Sequence, residues 1–313
     1  MAEATQRPIG VALALALALA GCAPPPPPAV PPAAIPPVAP APSAESRALA
    51  RYYANVQARL LSRGMLRTDD GGADTAFDAR QLAENFERIA LYDEYVLARG
   101  RFSPRETPSR LRRWERPIRM QVVFGESVSP EQRARDRAAV AAHAERLSGI
   151  SGLRIAETVS QPNFLVLFLN LDEQRAIGPE LRRLMPRVSP LVVEEIENSP
   201  RDIFCVAYAM ADEADGSSYT GAVVLIKAEH PDLMRLSCIH EEMAQAMGLA
   251  NDSPQARPSI FNDDEEFALM TRHDELLLRI LYDRRLRAGM TPAAARPMVR
   301  RIAEELLAAG GDT

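Results

Sequence analysis

The sequence predicts an α+β fold, and three observations carry the prediction. Apolar runs of strand length crowd the middle of the chain, helical spacing dominates after residue 231, and residues 164–169 read Phe-Leu-Val-Leu-Phe-Leu without a polar break. Such an uninterrupted run suits a central strand buried on both faces, and strands first with helices last suits α+β. With 313 residues the chain is long enough to bury a sizeable core, so it needs neither a metal nor a disulfide merely to fold. Lys+Arg 37 against Asp+Glu 42 leaves a net charge of -5. That balance gives no basic excess and argues against nucleic acid as a partner. Basic charge is almost all arginine, since Lys227 is the only lysine.

The amino terminus comes first. Residues 11–20 alternate Val or Leu with Ala over ten positions and close on Leu19-Ala20-Gly21-Cys22. A stretch of that length is too short to span a bilayer and fits the apolar region of a signal peptide over residues 1–21. It resembles a bacterial lipoprotein signal. The resemblance implies cleavage before Cys22, a lipid on the Cys22 sulfur, and, with Ala23 next, sorting to the periplasmic face of the outer membrane. Eleven prolines follow between Ala23 and Ser43. Proline fixes φ and removes donors, so residues 22–43 predict a semi-rigid spacer reaching at most about 65 Å.

From residue 44 to 313 a single globular domain is expected. Residues 44–64 and 78–99 predict helices, the second with Leu82, Phe86, Ile89 and Val96 near helical spacing, and Asp69-Asp70-Gly71-Gly72 is a turn between them. Alternation over residues 117–125 predicts a strand, and residues 130–147 an Arg/Ala helix with His143 on its solvated surface. Further strands are predicted at 153–157, 164–169, 203–208 and 221–226, with a broken helix at 173–185 where Gly178-Pro179 interrupts. Residues 212–218 are turn-rich, a helix runs 231–247, and the remainder is helical with one irregular loop. Cys205 and Cys238 are the only thiols in the body. In an oxidising compartment they either pair or stay as two separate buried thiols.

The chemistry-bearing residues concentrate at His240-Glu241-Glu242-Met243-Ala244-Gln245-Ala246-Met247-Gly248-Leu249-Ala250-Asn251-Asp252. A zinc helix H-E-x-x-H puts two ligands at i and i+4 on one face. Counted from His240 the fifth residue is Ala244, which cannot ligate. Counted from Glu241, the order Glu241-Glu242-x-x-Gln245-x-x-Gly248-Leu249-x-Asn251 reproduces the layout of the metzincin pattern H-E-x-x-H-x-x-G-x-x-H. With the downstream Asn251-Asp252-Ser253, Asn262-Asp263-Asp264 and Met270-Thr271-Arg272-His273-Asp274, the stretch of about 115–290 resembles an uncharacterised family of proteobacterial envelope lipoproteins. That family is a domain of unknown function with a degenerate zincin-like helix. The resemblance implies a twisted mixed sheet whose edge strand, at residues 221–226, lies beside a cleft above the helix. It implies Glu242 at the position of a catalytic glutamate, Gly248 as the turn, and Met270 as the methionine beneath a metal; the Thr271–Asp274 capping box starts a new helix there.

Glu241, Gln245 and Asn251 stand where zincins carry histidines. Amide oxygens are weak donors for zinc, so zinc is not expected to bind tightly, and the resident cofactor stays open. His240 is a candidate for the cleft, against the alternative of a packing residue; Asp274 is accounted for by capping. Two functions follow. One is a non-catalytic binding or pseudo-peptidase module, tethered to the membrane by its lipid and holding an envelope peptide, glycan or protein. The alternative is a metal-dependent hydrolase using Glu242, with non-standard ligands drawn from Glu241, Gln245, Asn251 and Asp252.

Overall fold

The computed structural model describes residues 1, 41–98, 101–212, 214, 216–262 and 264–310. The signal segment, Cys22 and most of the proline spacer lie outside these residues. No helix among the described residues is long and apolar enough to cross a membrane.

Helix α1 (Ala44–Ser62) starts beneath Ser43, whose hydroxyl accepts from the Ser46 amide. Helix α2 (Ala79–Leu91) starts at a capping box in which Asp78 and Gln81 satisfy one another's backbone amides. The predicted helix over 78–99 ends at Leu91, because Tyr92–Ala98 forms strand β1, paired antiparallel with β2 (Arg101–Pro108). Tyr92 and Val96 stand four residues apart, a spacing that satisfies a helix face and a strand face equally. The hairpin was therefore hidden from periodicity.

The main sheet contains β3 (Arg113–Trp114), β4 (Ile118–Phe124), β5 (Ile155–Glu157), β6 (Phe164–Leu169), β7 (Cys205–Ala211) and β8 (Ser218–Lys227). Its order is β5-β4-β6-β8-β7, with the short β3 beside the start of β8. Every pairing is parallel except β7 with β8. In register, Val122, Val166, Val224 and Ala207 form one row across four strands. The architecture is thus mixed α and β around a mostly parallel sheet. All six residues of β6 are buried, and they alternate: Phe164, Val166 and Phe168 face one core, Leu165, Leu167 and Leu169 the other. That is the two-faced burial its sequence requires.

Helix α3 (Pro130–Ser151) crosses over from β4, and α4 (Leu171–Gln174), α5 (Gly178–Leu184) and α6 (Pro190–Glu197) follow β6. Helices α5 and α6 cover the Leu165 face through Leu181, Val193 and Ile196. On the opposite face lie α2, α3, α7 (Asp232–Gln245), α8 (Arg272–Leu281) and α9 (Pro292–Gly310). The interruption predicted at Gly178-Pro179 is the start of α5, where proline's missing amide costs nothing. Helix α6 has no counterpart in the sequence-based expectation. The capping box predicted at Thr271 and Asp274 is present at the start of α8.

Two expectations need correction. The edge strand beside the cleft is β7, whereas residues 221–226 belong to the interior strand β8, with Ala222 to Ile226 fully buried. An unbroken apolar run is the mark of a strand covered on both faces, and in β8 Ala222, Val224 and Ile226 face one core while Val223 and Leu225 face the other. His143, expected at the solvated surface, is 2% exposed because α3 is sandwiched against α7 and α8. Its helix is Arg- and Ala-rich all round, so composition does not mark the inward face.

Candidate functional site

A cleft of about 880 Å³ opens between the outermost strand β7 and helix α7. Residues 205–209 form one wall, and Ser237, Cys238, Glu241, Glu242 and Gln245 of α7 form the floor. The floor residues recur at i, i+1, i+4, i+5 and i+8, the spacing that gathers side chains on one helix face. A disulfide between Cys205 and Cys238, with Cα atoms 5.8 Å apart, ties the first residue of β7 to that floor.

The turn after α7 sets the far end. Gly248 takes φ +123°, and a Cβ there would stand 2.3 Å from the Arg112 carbonyl oxygen. Only glycine fits that approach. The chain then returns along α2: the Asn251 amide donates to the Ile89 carbonyl at 3.1 Å, and its side-chain Nδ2 to the Arg88 carbonyl at 2.9 Å. This anchorage delivers Asp252 to the cleft, where its Oδ1 accepts from Gln245 Nε2 at 3.2 Å.

The predicted residues therefore separate. Glu241, Glu242, Gln245 and Asp252 line the cleft together with both cysteines, and Glu242 is 4% exposed. Asn251 does not line it; its carboxamide is turned to the backbone of α2. His240 and Met270 lie behind the floor. The His240 ring stacks on His143, and its Nδ1 accepts from the Met270 backbone amide at 3.1 Å. One step along a helix turns a side chain by about 100°, which sends His240 toward α3 while Glu241 faces β7.

The residues present do not fit a resident zinc at the position the metzincin layout implies. Asn251 points away, the Gln245 amide is engaged by Asp252, and both are neutral donors that zinc disfavours. Among the described residues, the one cluster of three potential ligand groups is Cys205, Glu241 and Glu242, within 4.8 Å of one another. The Cys205 sulfur there is committed to the disulfide.

Sequence reasoning missed the wall at residues 199–204. Lys227, the sole lysine, is 1% exposed, and its Nζ donates to the carbonyls of Ser199, at 3.3 Å, and Pro200. Burial pushes its ammonium down to about 8. Tyr53 of α1 donates to the Arg201 carbonyl at 3.0 Å, and His230 Nε2–H to the Phe204 carbonyl at 2.8 Å. Three buried donors thus hold one loop by its backbone, with the ring of Tyr53 stacked on that of His230, centroids 4.1 Å apart. A lone lysine at the end of an apolar strand is the signal that pointed there.

Charge dominates the lining. Asp93, Glu195, Asp202, Glu241, Glu242, Asp252 and Glu265 face Arg112, the only cation among the described lining residues, and Arg112 is paired with Asp93. A concave surface with this imbalance concentrates positive ligands. A family model described as a protein of unknown function, DUF2927, matches residues 79–301. The match takes in the sheet, the cleft floor and the first half of α9, and begins after α1. No curated protein and no solved structure matches the chain.

Proposed function

Because the chain belongs to the DUF2927 family, whose function is unknown, we propose its role from its own cleft: it is a non-catalytic module that holds an extended, cationic polypeptide segment between β7 and α7. The observation that carries this reading is the meeting of an outermost antiparallel strand with a carboxylate-lined floor. An extended segment added beside β7 gains main-chain hydrogen bonds, and alternate side chains of that segment face one way. Arginine or lysine at those positions meets Glu241, Glu242 and Asp252. A neutral glycan offers hydroxyl donors to these carboxylates but no charge to balance them and no main chain to pair with the edge of β7, so the peptide is favoured over the glycan.

In this reading the zincin-like helix is a pseudo-peptidase scaffold. Without a held metal, no bound water is acidified toward neutrality, and Glu242 has no nucleophile to activate. The lipobox-like Leu19-Ala20-Gly21-Cys22 and the proline spacer support a lipid-anchored protein whose cleft stands off the periplasmic face of the outer membrane. The partner is then an envelope polypeptide.

The test uses the oxidised mature chain and fluorescein-labelled decapeptides. An alternating Arg/Val peptide is expected to bind, to weaken as salt is raised, and to bind at least tenfold more weakly to the Glu241→Gln/Asp252→Asn variant. An alternating Glu/Val peptide is expected not to bind. Equal affinity for both peptides, or no binding of either, overturns the reading. Peptide cleavage abolished by Glu242→Gln replaces it with the metal-dependent hydrolase.

A further inference from the structure

We infer that reduction of the Cys205–Cys238 disulfide turns this corner of the cleft into a Zn²⁺ site whose four ligands are Cys205, Cys238, Glu241 and Glu242. The inference stands whether or not the oxidised cleft takes a peptide. It rests on placement. Cys238, Glu241 and Glu242 are at i, i+3 and i+4 of α7, one above another on the face that looks at β7. Cys205 arrives from the facing strand. The Cys205 sulfur and one oxygen of each glutamate already lie within 4.8 Å of one another, and the Cys238 sulfur is bonded to that of Cys205.

A tetrahedral zinc with Zn–S near 2.3 Å and Zn–O near 2.0–2.2 Å sets its ligand atoms about 3.3–3.8 Å apart. The carboxylates therefore need to close by about 1 Å. The two sulfurs need to part, which breaking their bond permits. Two thiolates and two carboxylates are an S₂O₂ set that suits zinc by softness, whereas calcium and magnesium prefer oxygen alone. In the oxidised chain the same corner offers two carboxylates and a disulfide whose sulfurs carry no charge. The redox state, and not the fold, thus decides whether the ion is held.

The reductant is a dithiol. Its thiolate attacks the Cys205 sulfur, which is half-buried on the cleft wall, while the Cys238 sulfur, 3% exposed, leaves as thiolate. The second thiol of the reductant then resolves the mixed disulfide, releasing Cys205 and closing the reductant's own disulfide. Two electrons pass to the protein. When Zn²⁺ binds, the two cysteine protons go to solvent, and metal affinity accordingly rises with pH.

The experiment reads metal on the full mature chain, first oxidised and then reduced with a phosphine that is removed under argon. Zn²⁺ alone is the probe, titrated against a chromophoric chelator; Co²⁺ gives a second readout through thiolate-to-metal charge transfer in the near ultraviolet. The reduced protein is expected to bind one Zn²⁺ per chain at least a hundredfold more tightly than the oxidised protein. Reoxidation is expected to release it. Glu241→Gln/Glu242→Gln, which keeps both cysteines, is expected to lose at least tenfold in affinity while still showing the cobalt–thiolate band. Equal affinity of the oxidised and reduced chains overturns the inference, as does unchanged affinity in the double glutamine variant. A reduced chain that has lost its native circular dichroism overturns it too, since the site requires β7 beside α7.

Discussion

His143 of α3 and His240 of α7 lie face to face, with ring centroids 4.2 Å apart and planes 24° from parallel. His143 Nε2–H donates to the His240 carbonyl at 3.1 Å, and His240 Nδ1 accepts from the Met270 amide, which holds the His240 ring neutral. Burial, then the neighbouring Arg146, push His240 down to about 4 against a partial pull from Asp274; burial, then His240 and Arg146, push His143 well below its usual value. Burial also takes His230 down to about 3. A histidine whose folded value is depressed binds its proton more readily when unfolded. Its contribution is therefore complete above about pH 6.5 and is lost as pH falls toward the folded value. Urea midpoints are expected to fall steadily from pH 6 to 4, each histidine adding up to about 1.4 kcal/mol per pH unit. A flat profile across pH 6 to 4 would contradict this.

The buried pair Arg235–Asp136 makes a second prediction. Arg235 Nε donates to both Asp136 oxygens at 2.8 Å, and its other nitrogens donate to the His230 carbonyl and to Asp232. Burial outweighs Arg235 and raises the Asp136 carboxyl. Asp136→Asn leaves the guanidinium without its buried counter-charge and is expected to cost about 3–5 kcal/mol in urea unfolding. Asp232→Asn, at the exposed end of the same cluster, is expected to cost under about 1 kcal/mol. Equal costs would mean the burial argument fails.

The disulfide carries its own stability. Cysteines 33 residues apart close a loop whose constraint is worth about 3–4 kcal/mol in the chain-entropy account. Cys205→Ala/Cys238→Ala is expected to fold, with a urea midpoint lowered by that amount. An unchanged midpoint would show that the bond constrains nothing.

Gly248→Ala places a methyl group 2.3 Å from the Arg112 carbonyl oxygen and 3.1 Å from Leu281 Cδ2. With the unfavourable φ added, a loss of about 3 kcal/mol or more is expected. Because this turn delivers Asp252, the variant is also expected to bind the cationic decapeptide more weakly even where it remains folded. Gly149→Ala, on a helix with nothing within 4 Å of the added carbon, is the control and is expected to be neutral or slightly stabilising.

What the sequence disclosed was local. The Phe164–Leu169 strand, the capping box at Thr271, and the Glu241-Glu242-x-x-Gln245-x-x-Gly248 helix and turn all follow from neighbours a few residues apart. What it concealed was set by distant partners. Whether β7 or β8 takes the sheet edge depends on pairing with β6, some forty residues upstream of β7. His143 is buried by α7 and α8, and Asn251 is captured by carbonyls of α2. Even Lys227 acts through a loop that precedes its strand. Side-chain identity was legible, whereas the direction each side chain faces belongs to tertiary packing.

The central claim is that an extended cationic segment adds to β7 across the floor of α7. Amide hydrogen exchange of the oxidised protein, with and without the alternating Arg/Val decapeptide, tests it most directly. The account predicts new protection concentrated in residues 205–209, with a smaller effect at residues 241–252 and none at the opposite sheet edge, β5. Protection confined to other elements, with β7 exchanging at the same rate in both states, would contradict it.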